Sequence, residues 1–587
     1  MARAAAAPTA DTCAARGAAL PAVLAAARAA SLAALPPCAR GERFLSGGGE
    51  ALGLATRWSL RCSDASGAFA EAVELLPPLA LGSSAPVATL RAGFDGQAAW
   101  QTELASGAVS ALAPGDDARD RSLLFAWLRS GAWPAAVASG ALLAQLLPEQ
   151  PPPGGKAPCH VLSLSLAGSP DLACSVWLPA SPAPCLPLHV ELQTSCAGAE
   201  SWTFASWPGR ATHTQPTGET AVFTADGAAD ADDATPLAAL AAVPLEAPAP
   251  PFEATPVAAA RCAGGQFLLR ATLLPGGAPA WWALDTACDG AAVTAAAADA
   301  AGMPSLGRAA VAGLGGALAG ALRRGGLAVG DVELLPPASL QLQLSLDGAL
   351  APPDGGALGG VLGCAALRCA TLELHAPRRL PGARAAPVLT ATLHAPGTFQ
   401  PPDRLAIAWR ALTFVRATAN HVAACVLTQA LYSLQVDGVP HVRASYSLQP
   451  GAPLREGLFR LALGVGGCGV IFSNAEAAAV GFARATAALQ PAGMLAAPGE
   501  GRARMAAVEE GSLLSGRLDA LQLGGATFRH VRALAHTGAD PSDLALSHRA
   551  AGAICADLFR GVHLVLDFAA GRYACVNLDR PVDDDEM

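Results

Sequence analysis

The amino-acid sequence predicts a mainly β protein with a minor share of helix: one antiparallel sheet domain followed by two all-β lobes. Three observations predict this arrangement. Short stretches such as CHVLSLSLAG at Cys159–Gly168 alternate apolar and polar residues and are separated by Gly and Pro. Two clusters rich in Pro, Ala and charged residues divide the chain into three blocks. The second and third blocks repeat the same order of parts.

Length and composition exclude several function classes. At about 150 residues per domain, the 587 residues suffice for three or four domains. The net charge is -9 and no Arg cluster is interleaved with aromatic residues, so we expect no nucleic-acid partner. The 15 cysteines are scattered without a CxxC pair, and HExxH is missing, so we expect neither a metal nor another cofactor. No apolar run reaches the ~18 residues of a membrane-spanning helix, which predicts a soluble chain without a transmembrane segment.

The N-terminal segment, residues 1–39, is rich in Ala and Arg and has two interpretations. The first forty residues contain Arg3, Arg16, Arg28 and Arg40 against the single acid Asp11. This balance is typical of an organellar transit peptide. It equally fits an Ala-rich helix that caps the first domain. The localisation therefore stays open between an organelle and the cytoplasm.

Domain boundaries follow from stretches too poor in branched and aromatic residues to form a core. The acidic end of the chain is expected to fray. The expected division is an N-terminal segment 1–39, a sheet domain 40–225, a linker 226–257, a first lobe 258–380, a second linker 381–404, a second lobe 405–578 and an acidic tail 579–587.

The first block shows the alternation of a half-buried sheet. Strands are expected at Arg57–Cys62, Cys159–Gly168, Cys174–Ala180 and Pro187–Thr194, with a helix near Arg121–Gly131.

One segment of this block, GFDGQAAWQTELASGAV at Gly93–Val109, resembles the hairpin of lipoprotein-carrier-like domains. The resemblance implies a curved sheet that makes a shallow apolar cup. For Asp95 and Trp100 themselves, a tight turn and a core aromatic are the simpler interpretation.

The second block opens with a β-hairpin that ends in a carboxylate. Phe267–Leu273, the turn PGGAP and Ala280–Thr286 form the hairpin, and Asp285 lies at the end of its second strand. An Ala-rich helix, the Gly-rich stretch Gly313–Gly320, a strand at Leu327–Leu335 and a closing segment at Gly359–His375 follow.

This order of parts resembles the retropepsin-like aspartic peptidases over the whole block. In that family a strand ends in Asp-Thr-Gly-Ala, a Gly-rich flap covers the cleft, a later strand carries a Leu-x-Ile-Gly turn, and two bulky residues followed by Gly close the loop. The resemblance implies that Asp285 is the catalytic carboxylate, supported by Thr286 and by Ala287, where the family has Gly. It implies that substrate is bound by Asp289, Gly313, Gly315, Gly316, Val361, Leu362 and Gly363.

The third block repeats the pattern and loses the carboxylate. Aligned without a gap, FRLALGVGGCGVIFSN at Phe459–Asn474 places Gly464 opposite Asp285 and Val465 opposite Thr286, with Gly466 next. The closing segment Gly552–Val576 matches that of the second block, with Cys555 in place of Gly363. We therefore expect tandem lobes, the second with a degenerate site.

The chemistry of the family explains why this loss matters. Its two adjacent carboxylates share one proton, so that one activates water while the other donates a hydrogen bond to the peptide carbonyl. One Asp alone cannot be base and acid together.

An aspartic endopeptidase acting on peptides or proteins would then need a homodimer through lobe 1. Intramolecular pairing of the lobes would instead give a pseudo-peptidase that binds extended peptides. A third alternative is an apolar-ligand or lipid carrier built on the first sheet.

Overall fold

The structure is a computed structural model of the full chain. It describes residues 10–35, 42–51, 54–78, 85–102, 109–112, 117–180, 185–194, 198–214, 220–227, 236–244, 251–261, 265–286, 291–313, 316–344, 352, 354–356, 358–376, 389–401, 407–415, 439–473, 476, 480–484, 513–536 and 550–577.

Over its described residues, the first domain contains a single antiparallel sheet of 13 strands and four helices. In chain order its elements are α1 Ala10–Ala34, β1 Glu42–Ala51, β2 Leu54–Ser63, β3 Phe69–Leu75, β4 Ala88–Phe94, β5 Ala99–Thr102, β6 Val109–Leu112, α2 Asp117–Ser130, α3 Trp133–Ala138, β7 Leu142–Gln150, β8 Cys159–Leu166, β9 Ser169–Pro179, β10 His189–Thr194, β11 Gly198–Ser206, β12 Arg210–Thr214, β13 Thr220–Gly227 and α4 Leu237–Ala241.

This sheet curves around helix α2. Its strand order is β6-β5-β4-β3-β2-β1-β13-β12-β11-β10-β9-β8-β7, and α2 packs against β1 and β2 as well as β8 and β9. Strands lie about 4.8 Å apart, so one helix reaches both groups only if the sheet bends around it. The interior is not purely apolar, since Arg129 of α2 pairs with buried Glu71 at 2.5 Å and lies over the ring of Trp58.

Helix α1 packs against β7 and α3 and buries Val23 and Ala27. The N-terminal segment thus contains a helix that packs on the first domain, while its role as a transit peptide and the compartment stay predictions.

The part of the predicted Gly93–Val109 segment up to Thr102 forms a hairpin between β4 and β5, while residues 103–108 lie outside the described residues. Asp95 Oδ1 accepts hydrogen bonds from the backbone N–H groups of Gln97 and Ala98 at 2.8 and 2.7 Å, and this fixes the turn between β4 and β5. Trp100 is buried, and its indole N–H donates to the carbonyl of Ala241 at 2.8 Å. Both residues therefore have structural roles.

The expected linker 226–257 is partly ordered, which corrects the sequence interpretation. Strand β13 extends to Gly227, and helix α4 packs against β3 and β4. Leu237 and Ala241 are four positions apart, so they lie on one face of α4, where both are buried. Such a short apolar face was too small to recognise in the sequence.

Among the described residues, the first lobe contains a ten-stranded sheet, and three further strands lie outside it. Its elements are β14 Thr255–Val257, β15 Ala259–Arg261, β16 Phe267–Leu274, β17 Ala280–Leu284, β18 Ala292–Thr294, α5 Ala295–Ala300, β19 Ser305–Gly313, β20 Gly316–Arg324, β21 Gly326–Val329, β22 Val332–Leu335, β23 Leu340–Leu344, β24 Leu358–Leu362, α6 Cys364–Leu367, β25 Thr371–Ala376 and β26 Thr390–His394, of which β14, β25 and β26 lie outside that sheet.

One predicted strand of this lobe is in fact two. Leu327–Leu335 contains β21 and β22, which pair antiparallel around a turn at Gly330. Gly330 has φ +58, a left-handed conformation that favours glycine.

In the part of the second lobe that the structure describes, eight strands form one sheet. The remaining elements are β27 Arg410–Ala411, β28 Thr413–Val415, β29 Val439–Ser447, β30 Arg455–Ala462, β31 Val470–Phe472, β32 Ala483–Arg484, β33 Leu513–Leu523, β34 Ala526–His536, β35 Gly552–Cys555, a 3-10 helix Ala556–Phe559, β36 Val562–Asp567 and β37 Arg572–Asn577.

A six-stranded sheet in the order β14-β26-β25-β36-β37-β27 joins the two lobes. Strand β25, near the C-terminal end of lobe 1, pairs antiparallel with β36, near the C-terminal end of lobe 2. The pairing of β26 with β25 corrects the expected linker 381–404, which contains Thr390–His394. A continuous buried core beneath these strands includes Leu284, Leu362, Leu461 and Ile554, so the lobes share one interior.

A carboxylate and two histidines connect the halves of this sheet. Glu373 of β25 lies 2.8 Å from His394 Nε2 of β26 and 2.8 Å from His563 Nε2 of β36. Contacts with His394 and His563 lower the pKa of Glu373 from its ordinary value of 4.5 to about 2. A carboxyl group whose pKa falls on folding stabilises the fold above its unfolded pKa and loses that effect as the pH falls through its folded pKa.

We expect Glu373→Gln to lower the stability of the lobes above about pH 4.5, by at most about 3 kcal/mol, with the deficit shrinking between about pH 4.5 and 2. Calorimetric unfolding across this pH range measures the effect. Glu333→Gln, at an exposed glutamate of β22, is the matched control. A deficit for Glu373→Gln that stays constant across the range would contradict the assignment.

Candidate functional site

Asp285 lies at the end of β17, where the neighbouring strand fixes its backbone. β17 runs parallel to β24, with Ala283 opposite Val361 and Leu284 opposite Leu362. The N–H of Asp285 donates to the carbonyl of Leu362 at 2.9 Å. The Asp285 side chain is only 6% exposed. The bulky pair of the closing loop therefore positions the backbone of Asp285.

Several predicted site residues lie outside the described residues. These are Ala287, Asp289 and Gly315, so their supporting and substrate-binding roles stay predictions. Gly313 and Gly316 pair with each other at the end of the β19–β20 hairpin, which is the predicted flap. Gly363 precedes α6 and takes an extended backbone.

The second lobe repeats the strand plan around its own loop. β30 runs parallel to β35, with Leu461 opposite Ile554, and β31 runs antiparallel to β35, with Ile471 opposite Ala553. Lobe 1 pairs Leu284 with Leu362 and Ala292 with Val361 in the same way. Cys555 precedes the 3-10 helix as Gly363 precedes α6. Leu461 is therefore equivalent to Leu284, and Ile471 to Ala292.

These registers correct the sequence alignment. Ala462 takes the position equivalent to Asp285, and Leu463 that of Thr286, where the gap-free alignment placed Gly464 and Val465. Seven positions separate Asp285 from Ala292, but nine separate Ala462 from Ile471, so the second loop is two residues longer. The gap-free alignment matched the strand after the loop and misplaced the strand before it.

Thr286 ties the two loops together. Its hydroxyl donates to the carbonyl of Leu461 at 2.6 Å and accepts from the N–H of Leu463 at 3.1 Å. Both bonds are buried and cross from one lobe to the other. Leu463, in the equivalent position of lobe 2, has no hydroxyl and makes no such side-chain hydrogen bonds to lobe 1. The connection is therefore one-sided.

Gly464 lies directly against the Asp285 carboxyl group. An ideal Cβ on Gly464 would be 2.3 Å from Asp285 Cγ and 2.5 Å from Oδ2, closer than real Cβ contacts. Glycine is thus the residue that lets this loop approach the carboxylate. The second lobe of the same chain therefore packs against one side of Asp285.

The second loop contains a buried thiol and no carboxylate. Between Phe459 and Ser473 the sequence contains no Asp or Glu. Cys468 Sγ lies 3.9 Å from Cys555 Sγ, and both thiols are fully buried. The neighbouring Cys468 thiol, burial, and the charges of Asp557 and Asp285 raise the pKa of Cys555 well above its ordinary value. This thiol stays protonated at neutral pH, so it is a poor nucleophile.

The sequence alone did not identify Ala462 and Leu463 as the equivalents of Asp285 and Thr286. It also did not identify the carbonyl of Leu461 as the group that accepts a hydrogen bond from the Thr286 hydroxyl. The strand LFRLA at Leu458–Ala462 resembles WWALD at Trp281–Asp285 in its buried alternate positions, so an alignment with a gap after the strand would have found Ala462. Among the described residues, no group of three or more His, Cys, Asp or Glu side chains is arranged to hold a metal ion. Within the same residues, no helix is both long and apolar enough to span a membrane.

Comparisons with known proteins give structural likenesses at low identity. No protein-family model matches the chain, and no curated protein matches its sequence. An aspartic proteinase from Irpex lacteus aligns with a TM-score of 0.32 and 11% identity, covering 56% of this chain and 99% of that one. A putative outer membrane lipoprotein-sorting protein domain from Vibrio parahaemolyticus aligns with a TM-score of 0.23 and 12% identity, covering 35% of this chain and 88% of that one.

We expect Thr286→Val to destabilise the paired lobes by about 2 kcal/mol or more, because it leaves the carbonyl of Leu461 and the N–H of Leu463 buried without the hydroxyl. Thr286→Ser keeps the hydroxyl and is the matched control, with a smaller loss. Calorimetry of the lobe transition measures both variants. A loss in Thr286→Val no larger than that in Thr286→Ser would contradict this prediction, since the hydroxyl would then contribute no more than the methyl group.

Proposed function

We propose that the two lobes form one intramolecular cleft of the acid-protease type that binds extended peptide segments without hydrolysing them. The observation that carries this proposal is the contact between Gly464 and the Asp285 carboxyl group. It brings the second loop to the place where a second carboxylate would be needed, and that loop supplies none. A cleft with one carboxylate can still hold a peptide, but it lacks the pair of carboxyl groups that would act as acid and base.

The missing group limits the chemistry in a specific way. Hydrolysis needs one carboxylate to remove a proton from water and a protonated carboxyl group to stabilise the developing oxyanion. Asp285 can take only one of these roles at a time. Backbone hydrogen bonding to an extended peptide needs neither role. Binding is therefore the activity that the remaining groups support.

An active homodimer through lobe 1 is the competing proposal. In it, Asp285 of a second chain would have to reach Asp285 of the first. The contact with Gly464 and the two hydrogen bonds of Thr286 occupy that side of the loop. The lobes would have to separate first, and this separation would break the buried contacts of their shared core.

We expect the purified chain to cleave no member of a peptide library between pH 3 and 7, since its cleft has one carboxylate, while it binds a subset of the peptides. Mass spectrometry detects cleavage, and fluorescence anisotropy with labelled peptides measures binding. Asp285→Asn, which keeps the shape of the side chain, is the matched control and should bind the same peptides.

Pepstatin-sensitive cleavage that disappears in Asp285→Asn would overturn the binding proposal. A cleavage rate that rises with the square of the protein concentration would in addition identify the homodimer. Absence of both cleavage and peptide binding would exclude both proposals.

A cavity in the first domain supports a second candidate function, the binding of a small apolar molecule. The cavity measures about 520 Å³ and lies between helices α2 and α3 and the turns at Asp64 and Gly168. Phe94, Leu123 and Trp127 line it. This volume is within the range of small-molecule sites.

We expect Nile red, a neutral apolar dye, to gain fluorescence with the wild-type chain and to lose most of that gain with Ala136→Phe, since Ala136 lines the cavity. Ala239→Phe, at an exposed position of α4, is the matched control. Dye binding that is equal in both variants would rule out this cavity as the site.

A further inference from the structure

The backbone around Ala462 matches the backbone around Asp285. Leu284 and Leu461, which precede these residues, both enter the shared core. Leu362 and Ile554 face them from the neighbouring parallel strands and enter the same core. Because side chains alternate along a strand, Asp285 and Ala462 both point away from that core.

The hydrogen bonds of Thr286 fix Ala462 relative to Asp285. They reach the carbonyl of Leu461 and the N–H of Leu463, the residues on either side of Ala462. Thr286 itself follows Asp285. A side chain at position 462 therefore starts from a backbone held next to the loop that carries Asp285.

Ala462 lies in a small apolar cluster. Its side chain is 2% exposed and packs in a group with Val465, Cys468 and Cys555. Cys555 stands where lobe 1 has Gly363, so lobe 2 has filled the equivalent space with a thiol. These apolar groups surround a position that is otherwise built for a carboxylate.

We propose that Ala462 is the vacant position of the second carboxylate and that Ala462→Asp alone gives the cleft a latent peptide-hydrolysing activity. This inference rests on the proposed function, in which the natural chain binds peptides without cleaving them. The backbone needed for hydrolysis is retained, and one side chain is missing.

The restored pair would hydrolyse a peptide bond with no further reactant than water. The ionised carboxyl group takes a proton from a water molecule while the oxygen of that water bonds to the peptide carbon. The protonated carboxyl group donates a hydrogen bond to the carbonyl oxygen. The carbon–nitrogen bond then breaks, and the amine leaves with a proton from the pair. The products are one carboxylic acid and one amine, and nothing is oxidised or reduced.

The test compares Ala462→Asp with two matched variants in peptide-library cleavage between pH 3 and 7. We expect Ala462→Asp to raise cleavage by about 100-fold or more over the wild-type background, in a pepstatin-sensitive manner. The double variant Ala462→Asp with Asp285→Asn should return to that background. Gly464→Asp, which follows the gap-free alignment, should stay at background, since a side chain there collides with Asp285.

A second measurement does not depend on activity. Two carboxylates that share a proton lose stability as the pH rises and both are forced to ionise. Relative to wild type, the unfolding temperature of Ala462→Asp should therefore fall between about pH 4 and 7. The fall should be smaller in the double variant with Asp285→Asn.

The outcomes separate this inference from the proposed function. Cleavage by the wild-type chain refutes the proposed function, whereas a folded Ala462→Asp with neither cleavage nor the added pH dependence refutes the vacant-position inference. If Ala462→Asp fails to fold, the test passes to Ala462→Asp with Cys555→Gly, which restores the glycine that lobe 1 has. Failure of that variant to fold or to cleave also refutes the inference.

Discussion

The hydroxyl of Thr286 joins the strand end of one lobe to the strand end of the other. It satisfies a carbonyl and an N–H of lobe 2 that would otherwise be buried without a partner, and such groups are costly to leave unpaired. This requirement sets the distance between the two loops. It thereby determines that Asp285 meets Gly464, and that residue 464 must be small. The shared core and the six-stranded sheet stabilise the same arrangement over a larger area.

The asymmetry of the cleft follows from this one-sided connection. Lobe 1 keeps the carboxylate and the hydroxyl, while lobe 2 has Ala462 and Leu463 in the equivalent places. Lobe 2 still folds in the same way, because its strand pairings depend on backbone groups and on residues such as Ile554 and Phe472 in the shared core. The fold of lobe 2 therefore does not depend on a carboxylate or a hydroxyl at these positions.

In the first domain, too, the sequence pattern and the interior of the fold differ. Alternation along its strands predicts a sheet with an apolar inner face. Helix α2 crosses that face and brings Arg129, which pairs with Glu71 beneath Trp58. Charged side chains are rarely buried unless they are paired, and Arg129 and Glu71 are 58 positions apart and meet only in the fold, so the sequence does not identify either as an interior residue. A cavity of about 520 Å³ remains beside Trp127.

By itself, the sequence determined the mainly β fold class, the hairpin that carries Asp285, the tandem plan of the lobes and the lack of an acidic residue in the second loop. Each of these depends on local alternation, turn residues or simple composition, which are written along the chain. Only the tertiary structure decided that Ala462, and not Gly464, is equivalent to Asp285, because equivalence is set by the pairing of β30 with β35 and the loop between is two residues longer. It also decided that Thr286 bonds to Leu461 and Leu463, since residues 175 and 177 positions apart meet only when the lobes pack together.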